Sequence, residues 1–93
     1  MNTHGIYRQV PDCLMEDMDG ELLVYNPNTA TTLHLNGPST VVWQLLTGEY
    51  SLATIITSLQ EAYPDQAAQI EPDVIATVSD MLEQGVIQAV VSG

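Results

Sequence analysis

Positive charge is almost absent from this sequence. It contains no lysine, and Arg8 is its only arginine, against 12 Asp and Glu residues, which gives a net charge of -11. Phosphate backbones are held mainly by Lys and Arg, and anionic lipid headgroups repel a surface of their own sign. We therefore expect neither nucleic acid nor a membrane as a partner, but a neutral or basic one. A second interpretation stays open, because acidity also keeps a small domain in solution.

The sequence also lacks the residue sets from which most active sites are built. Cys13 is the only cysteine, so no intramolecular disulfide can form. No spacing links Cys13 to either histidine, His4 or His34, and we expect a buried or half-buried structural thiol. No nucleophile constellation, phosphate loop or set of metal ligands is present. The prediction is a protein without catalytic residues, metal or cofactor.

Neither a long apolar run nor a targeting pattern occurs. A bilayer-spanning helix needs about 20 predominantly apolar residues, and no segment has them. The start of the chain, Met1–Gly5, lacks the basic run and apolar core of a secretory signal, so a cytoplasmic location is expected. With 93 residues, 45% of them hydrophobic, the chain is predicted to be a single domain over residues 1–93 with its core at about 14–88.

The first third of the chain shows the two-residue period of strands. Asp19-Gly20 is a two-residue hairpin signal, and Pro27-Asn28-Thr29 is a turn signal. An earlier extended segment is possible over Ile6–Val10. The pattern predicts a three-stranded antiparallel meander, whose strands are Leu14–Met18, Glu21–Asn26 and Thr31–Leu35.

Helical spacing follows the meander and predicts three helices. Asn36 and Ser51 are suitable N-caps for helices over about 38–46 and 52–63, and Gly48 is placed as the stop of the first. The first helix is apolar on most sides, which predicts a buried helix. Its apolar residues are Val41, Val42, Trp43, Leu45 and Leu46. Tyr63, at the end of the second helix, is likewise expected in the core.

The third helix is predicted to begin at Glu71-Pro72-Asp73, where carboxylates meet the positive end of the helix dipole, and to end at Gly85. The apolar tail Val86–Val91 is either a short strand or loosely packed chain. Three helices with a small sheet are the parts of a winged-helix-like α+β domain. The element order alone does not fix that packing.

Several local motifs in this order resemble the PqqD family of small peptide chaperones, which are related to the precursor-peptide recognition elements of ribosomal peptide biosynthesis. The resemblance covers about Leu14–Gln88. It rests on Asp19-Gly20-Glu21-Leu22-Leu23, Leu35-Asn36, Val42-Trp43-Gln44-Leu45-Leu46-Thr47-Gly48, Leu52, Ile55, Ile56, Asp73-Val74 and Leu82-Glu83-Gln84-Gly85-Val86-Ile87.

The resemblance implies a winged-helix-like fold without catalysis of its own. In that family a precursor's leader peptide adds as a strand beside the third strand of the meander, in a groove against the third helix. A modifying enzyme, such as a radical SAM enzyme, a protease or a cyclase, then acts on the rest of the peptide. Mapped onto this sequence, the strand edge is Thr31, Thr32, Leu33, His34 and Leu35. The helix wall is Ile75, Val78, Ser79 and Leu82.

Physical chemistry supports the same site without the resemblance. The last strand of a meander has unpaired N–H and C=O groups, and Thr31–Leu35 contains neither Lys nor Pro to block them. Strand addition suits such an edge beside an apolar helix. Alternatively, the N-terminal arm or the Val90-Val91 tail covers it. Two other functions also stay open, a winged-helix DNA-binding regulator, with which the charge conflicts, and a structural subunit of a larger enzyme.

Two polar features invite a functional interpretation, and each has a simpler one. His34 alternates with Leu33 and Leu35, and no nucleophile or further ligand is signalled near it, so it is expected to be a surface or groove-lining residue. Glu16, Asp17 and Asp19 lack the spacing of a calcium loop and are expected to form a solvated turn.

Overall fold

A computed structural model describes residues 3–90 and has an α+β architecture. Two antiparallel sheets of three strands each pack with three α-helices. The elements are β1 (Ile6–Gln9), β2 (Leu14–Met18), β3 (Glu21–Asn26), β4 (Thr31–Leu35), α1 (Gly37–Leu45), β5 (Thr47–Ser51), α2 (Leu52–Ala62), a 3-10 turn (Pro64–Gln66), α3 (Ala67–Glu83) and β6 (Ile87–Ala89).

The predicted meander is confirmed as one sheet in the order β2–β3–β4, which we call the meander sheet. Asp19 and Gly20 both have positive φ, at 54° and 85°. Two positive φ angles in a two-residue loop match the type I′ turn, whose twist fits that of the flanking strands. Val24 lies at the centre of the sheet, opposite Met15 on one side and Leu33 on the other.

The second sheet, in the order β5–β1–β6, was not predicted as a sheet. The extended segment proposed over Ile6–Val10 is its central strand, and the apolar tail supplies β6. Strand β5 was missed. Val90 N–H donates to the Ile6 carbonyl at 2.8 Å, and this bond joins the residue after β6 to the start of β1. Val91, the last residue of the predicted tail, lies outside the described residues.

The first two helices begin where their capping residues predict. The Asn36 side chain accepts a bond from Ser39 N–H at 3.0 Å, and Ser51 Oγ accepts one from Thr54 N–H at 3.2 Å. These bonds satisfy N–H groups that have no partner within the helix. The predicted stop of α1 is wrong, since the helix ends at Leu45 and Gly48 lies within β5 at a φ of 88°.

The predicted start of α3 is also wrong. The helix begins at Ala67, four residues before Glu71, and includes Pro72. A proline inside a helix removes the N–H that would bond the carbonyl four residues earlier, here that of Ala68. Both residues are exposed, so water can bond that carbonyl instead. The predicted end is confirmed, because α3 ends at Glu83 and Gly85 follows with a φ of 77°.

The core lies between the meander sheet and the helices. Trp43 is its largest fully buried side chain, and its Nε1–H donates to Met15 Sδ at 3.2 Å. Val42 and Leu46 are buried beside it, as predicted. Val41 and Tyr63 were expected in the core but are exposed, at 37% and 53%. Each is at the margin of its helix, Val41 on the flank of α1 and Tyr63 just past the end of α2.

No helix within residues 3–90 combines the length and the apolar character that crossing a bilayer requires.

Candidate functional site

Strand β4 ends the meander sheet, so one of its two edges lacks a partner strand among the described residues. The described parts of the N-terminal arm and the tail, which were the alternatives for covering this edge, pair with each other in the other sheet. Met1, Asn2 and Val91 lie outside the description. The N–H and C=O groups along the open edge of β4 are therefore available to hydrogen-bond another extended segment.

Partly buried apolar side chains occur on β4 and on α3. Leu33 of β4 is half-buried and packs against the core, and so do Ile75 and Leu82 of α3. Ile75 and Leu82 are seven residues apart, two helical turns, and so lie on the same face of α3. Leu33 can contact an apolar side chain of a segment that pairs with β4, and the role of Ile75 and Leu82 beside such a segment stays a prediction.

Two of the predicted site residues contribute no side chain to such a groove. Leu35 is 3% exposed and Val78 is fully buried, and both belong to the core. Val78 lies in the middle of the apolar stripe of α3, which packs inward, whereas Ile75 and Leu82 lie at its flank. A peptide could not contact either side chain without displacing the core, and the Leu35 carbonyl already accepts from the Thr40 hydroxyl at 3.3 Å.

The other predicted residues divide between the two faces of the meander sheet. Thr31 is half-buried on the side of Leu33, because the two are separated by one residue along the strand. Thr32 and His34 are exposed on the opposite, outer face, and His34 Nε2 lies 3.5 Å from Glu21 Oε2. Ser79 is exposed on the surface of α3. The assignment of all nine residues to peptide binding stays a prediction.

Asn26 is a residue of this region that the sequence did not single out. It is only 3% exposed, and its Nδ2–H donates to the Gly85 carbonyl at 2.7 Å. Its Oδ1 accepts from Asn28 N–H at 2.9 Å, within the turn that leads into β4. Asn26, the last residue of β3, therefore joins the end of β3 and the turn that leads into β4 to Gly85, just past the end of α3. An Asn at a turn is a local signal, but its partner 59 residues away has no counterpart in the sequence pattern.

No group of three or more His, Cys, Asp or Glu side chains that could hold a metal ion occurs within residues 3–90. Cys13 is half-buried, as predicted, with its Sγ 3.9 Å from the Val86 carbonyl. Burial raises the pKa of the Cys13 thiol, and the neighbouring Asp12 carboxylate raises it further. A raised pKa disfavours the nucleophilic thiolate.

A separate cavity of about 510 Å³ lies among the three helices. Its wall includes Ile70, Asp73 and Thr77 of α3, together with the exposed Val41 and Tyr63. At about 100° per residue along a helix, these positions of α3 lie on a different flank from Ile75 and Leu82. The cavity is therefore distinct from the edge of β4.

Comparison with known proteins identifies the family. The sequence profile of the family described as Coenzyme PQQ synthesis protein D (PqqD) matches residues 21–87, which is more than half of the chain. Among curated proteins, none matches. A solved structure, "TbiB1 in Complex with the TbiA(beta) Leader Peptide", is similar in fold, with a TM-score of 0.75 at 14% sequence identity. The similarity covers 91% of this chain and 99% of that one.

Proposed function

This chain belongs to the PqqD family, and we propose that it is a non-catalytic adaptor for a ribosomally made precursor peptide. The leader segment of the precursor adds as a strand to the open edge of β4, and the adaptor presents the rest of the peptide to a modifying enzyme. The single observation that carries this proposal is the open edge of β4, whose Leu33 is half-buried. We propose Ile75 and Leu82 of α3 as the wall of the same groove.

The similar solved structure supports the binding role, because it is a complex of a protein of the same fold with a leader peptide. At 14% identity the likeness extends to the fold alone. The edge of β4 supplies what strand addition needs in this chain. Main-chain bonds give affinity to any extended segment, and side-chain pockets give specificity.

The geometry also suggests which leader would fit. Alternate residues of an added strand face the same side of the sheet, so every second leader residue meets Leu33, Ile75 and Leu82. These positions favour apolar leader residues. The net charge of -11 favours a leader that is neutral or basic outside them.

Several finer points belong to the same proposal. We propose a winged-helix-like packing of the three helices against the meander sheet, one domain over the chain, and a cytoplasmic location. The modifying enzyme is of the radical SAM, protease or cyclase type. The single cation of the chain, Arg8, gives no support to the alternative of DNA binding.

A titration with the leader half of the precursor encoded beside this chain tests the proposal. We expect saturable binding, with NMR shift changes concentrated on β4 and on the flank of α3. The absence of saturable binding would contradict the function, and saturable binding with changes elsewhere would contradict the site.

Proline substitution refines the test. Consecutive residues of a strand direct their N–H groups to opposite sides, so Thr32→Pro and Leu33→Pro are made separately. One of the two removes an N–H from the open edge, and the other removes one that faces β3. The first should keep the fold and weaken leader binding. Met15→Pro and Glu16→Pro in β2 are made in the same way, and the one that removes an outward N–H is the control on the other edge.

A further inference from the structure

The outer face of the meander sheet carries an exposed apolar patch. Leu14 is directly opposite Tyr25, and Leu23 and Met18 lie on the same face by register. Leu14 is 65% exposed, Met18 49% and Tyr25 36%. Leu23 follows Tyr25 on the same face of β3, and Met18 lies diagonally across from Leu23. Direct and diagonal neighbours on one face are about 5–8 Å apart, so the four residues adjoin one another, and we call them the hairpin patch.

This pattern is unusual for a half-exposed sheet. Antiparallel sheets with one solvated face normally alternate between apolar residues inside and polar residues outside. Here the inner row, with Val24 and Leu33, packs on the core, and half of the outer positions are apolar as well. Contiguous exposed apolar surface rimmed by polar residues typically marks an interaction site.

Negative charge surrounds the hairpin patch. Five carboxylates lie within residues 12–21, and the meander sheet contains neither Lys nor Arg. Glu16 is opposite Leu23, and Glu21 is opposite Met18, so two of the five share the outer face with the patch. The one cation, Arg8, lies on β1 of the other sheet. Glu16 lies between Leu14 and Met18 on that face, and Thr32 and His34 of β4 border the patch on the other side. An apolar patch with carboxylates in and beside it complements an apolar surface that carries Lys and Arg.

Other occupants fit this surface less well. A second copy of the chain would bring a second acidic rim against the first, and like charges across an interface cost binding energy. Nucleic acid and anionic membranes are repelled for the same reason. The patch is also small, about 14 Å along β2 from Leu14 to Met18, and it covers only two strands about 5 Å apart. An area well below roughly 800 Å² per partner is typical of transient contacts.

We propose that the modifying enzyme docks on the hairpin patch through an apolar surface ringed by Lys and Arg. This inference rests on the proposed adaptor function and adds the surface by which the adaptor finds its enzyme. The patch covers the face of the sheet, whereas the leader is placed at its β4 edge. Both partners can therefore bind at once, and a transient contact allows the adaptor to be released after delivery.

The test uses the full chain and, as probe, the purified peptide-modifying enzyme encoded beside it, without precursor. The double variant Leu14→Ser/Tyr25→Ser should weaken enzyme binding at least tenfold. The control Tyr50→Ser/Tyr63→Ser removes two equally exposed aromatic residues elsewhere and should change it less than twofold. Because Leu14 and Tyr25 are exposed, the variant should fold like the original chain, which circular dichroism checks.

A charge variant tests the acidic rim separately. Glu16→Gln/Glu21→Gln should weaken enzyme binding severalfold at low salt and have less effect at high salt, whereas Glu49→Gln/Glu61→Gln should have little effect at either. The inference is overturned if the original chain does not bind the enzyme, or if the patch variants bind it as tightly as their controls. Leader affinity, measured on the same variants, should be unchanged. If the original chain itself does not bind the leader, the result contradicts the proposed function instead.

Discussion

The two open edges of the meander sheet differ in almost everything except their backbone. Strands β2 and β4 both end the sheet, and both flank β3. All five residues of β2 are exposed, whereas β4 alternates between half-buried, exposed and buried positions. An unpaired edge alone therefore does not distinguish β4 from β2. The two edges differ in burial, because β4 has a half-buried Leu33 and a buried Leu35 where β2 is exposed throughout.

Charge separates the two edges further. Asp17 of β2 belongs to the inward row, opposite Leu22, and on β4 the same row ends in Leu35. A charged side chain on the inward row of an edge strand opposes strand addition, because an added strand would bury it. The inward row of β4, with Thr31, Leu33 and Leu35, has no such charge. Asp17 thus opposes strand addition at the β2 edge, and no inward-facing charge does so at the β4 edge.

The largest expected effect comes from placing on β4 an inward-facing carboxylate like that of Asp17 on β2. Leu33→Asp places a carboxylate in the groove, and burying it without a partner costs about 2 kcal/mol or more. Since about 1.4 kcal/mol corresponds to a factor of ten, leader affinity should fall at least about 30-fold in calorimetric titration.

The matched control is Met15→Asp. Met15 lies opposite Val24 on the β2 side as Leu33 does on the β4 side, so the two variants make the same charge change at mirrored positions. Met15→Asp should leave leader affinity within about twofold of the original. Equal losses in the two variants would mean that the edges do not differ in function. If Leu33→Asp fails to fold, Thr31→Asp on the same row gives the same comparison with a smaller effect.

A smaller effect is expected from removing the Asn26 side chain, which hydrogen-bonds the Gly85 carbonyl just past the end of α3. Asn26→Ala removes the bond to the Gly85 carbonyl and should lower the free energy of unfolding by about 1–3 kcal/mol in urea denaturation. Leader affinity should fall by about tenfold if this bond sets the width of the groove. Asn28→Ala, an exposed neighbour in the same turn, is the control. A loss of stability without any loss of affinity would make Asn26 purely structural.

Asn26 also shows which contacts can be predicted from the sequence and which cannot. The meander, its Asp19-Gly20 turn and the caps Asn36 and Ser51 were predictable because each depends on neighbours within a few residues. The bond from Asn26 to Gly85 joins distant parts of the chain, and no local pattern encodes it. Strand β5 was missed for the same reason, since its pairing with β1 joins residues about 40 apart.

The edge of β4 and the apolar stripe of α3 were predictable from the sequence, but the burial of each side chain was not. Val78 and Ile75 were both predicted to line a groove, and the spacing does not give how deeply either is buried. Packing decides between them, because the centre of the stripe meets the core and its flank does not. The start of α3 was misplaced because Pro72 is a typical first-turn residue, and it lies inside this helix at an exposed position.

Removing the Asp17 carboxylate from β2 should have a measurable but modest effect on self-association. Asp17→Leu takes the charge off the inward row and leaves an open, apolar edge, so we expect concentration-dependent dimers by analytical ultracentrifugation. Leader affinity should stay within about twofold, because β4 is unchanged. Ser58→Leu adds the same apolar side chain on an exposed position of α2 and serves as the control. If both variants stay monomeric, Asp17 is not what protects this edge.

The smallest effect concerns Cys13, which reports on the β2 side of the sheet. Burial raises the pKa of its thiol, so the thiolate fraction at neutral pH is lowered, and iodoacetamide should react more slowly than with an exposed model thiol. The alkylation rate of Cys13 should still rise with pH at values where the rate of the model thiol has become constant. Saturating leader should change the rate less than twofold, because the sheet places β4 about 10 Å from β2, beyond the intervening β3. Strong protection of Cys13 by the leader would move the leader from the β4 edge to the β2 side.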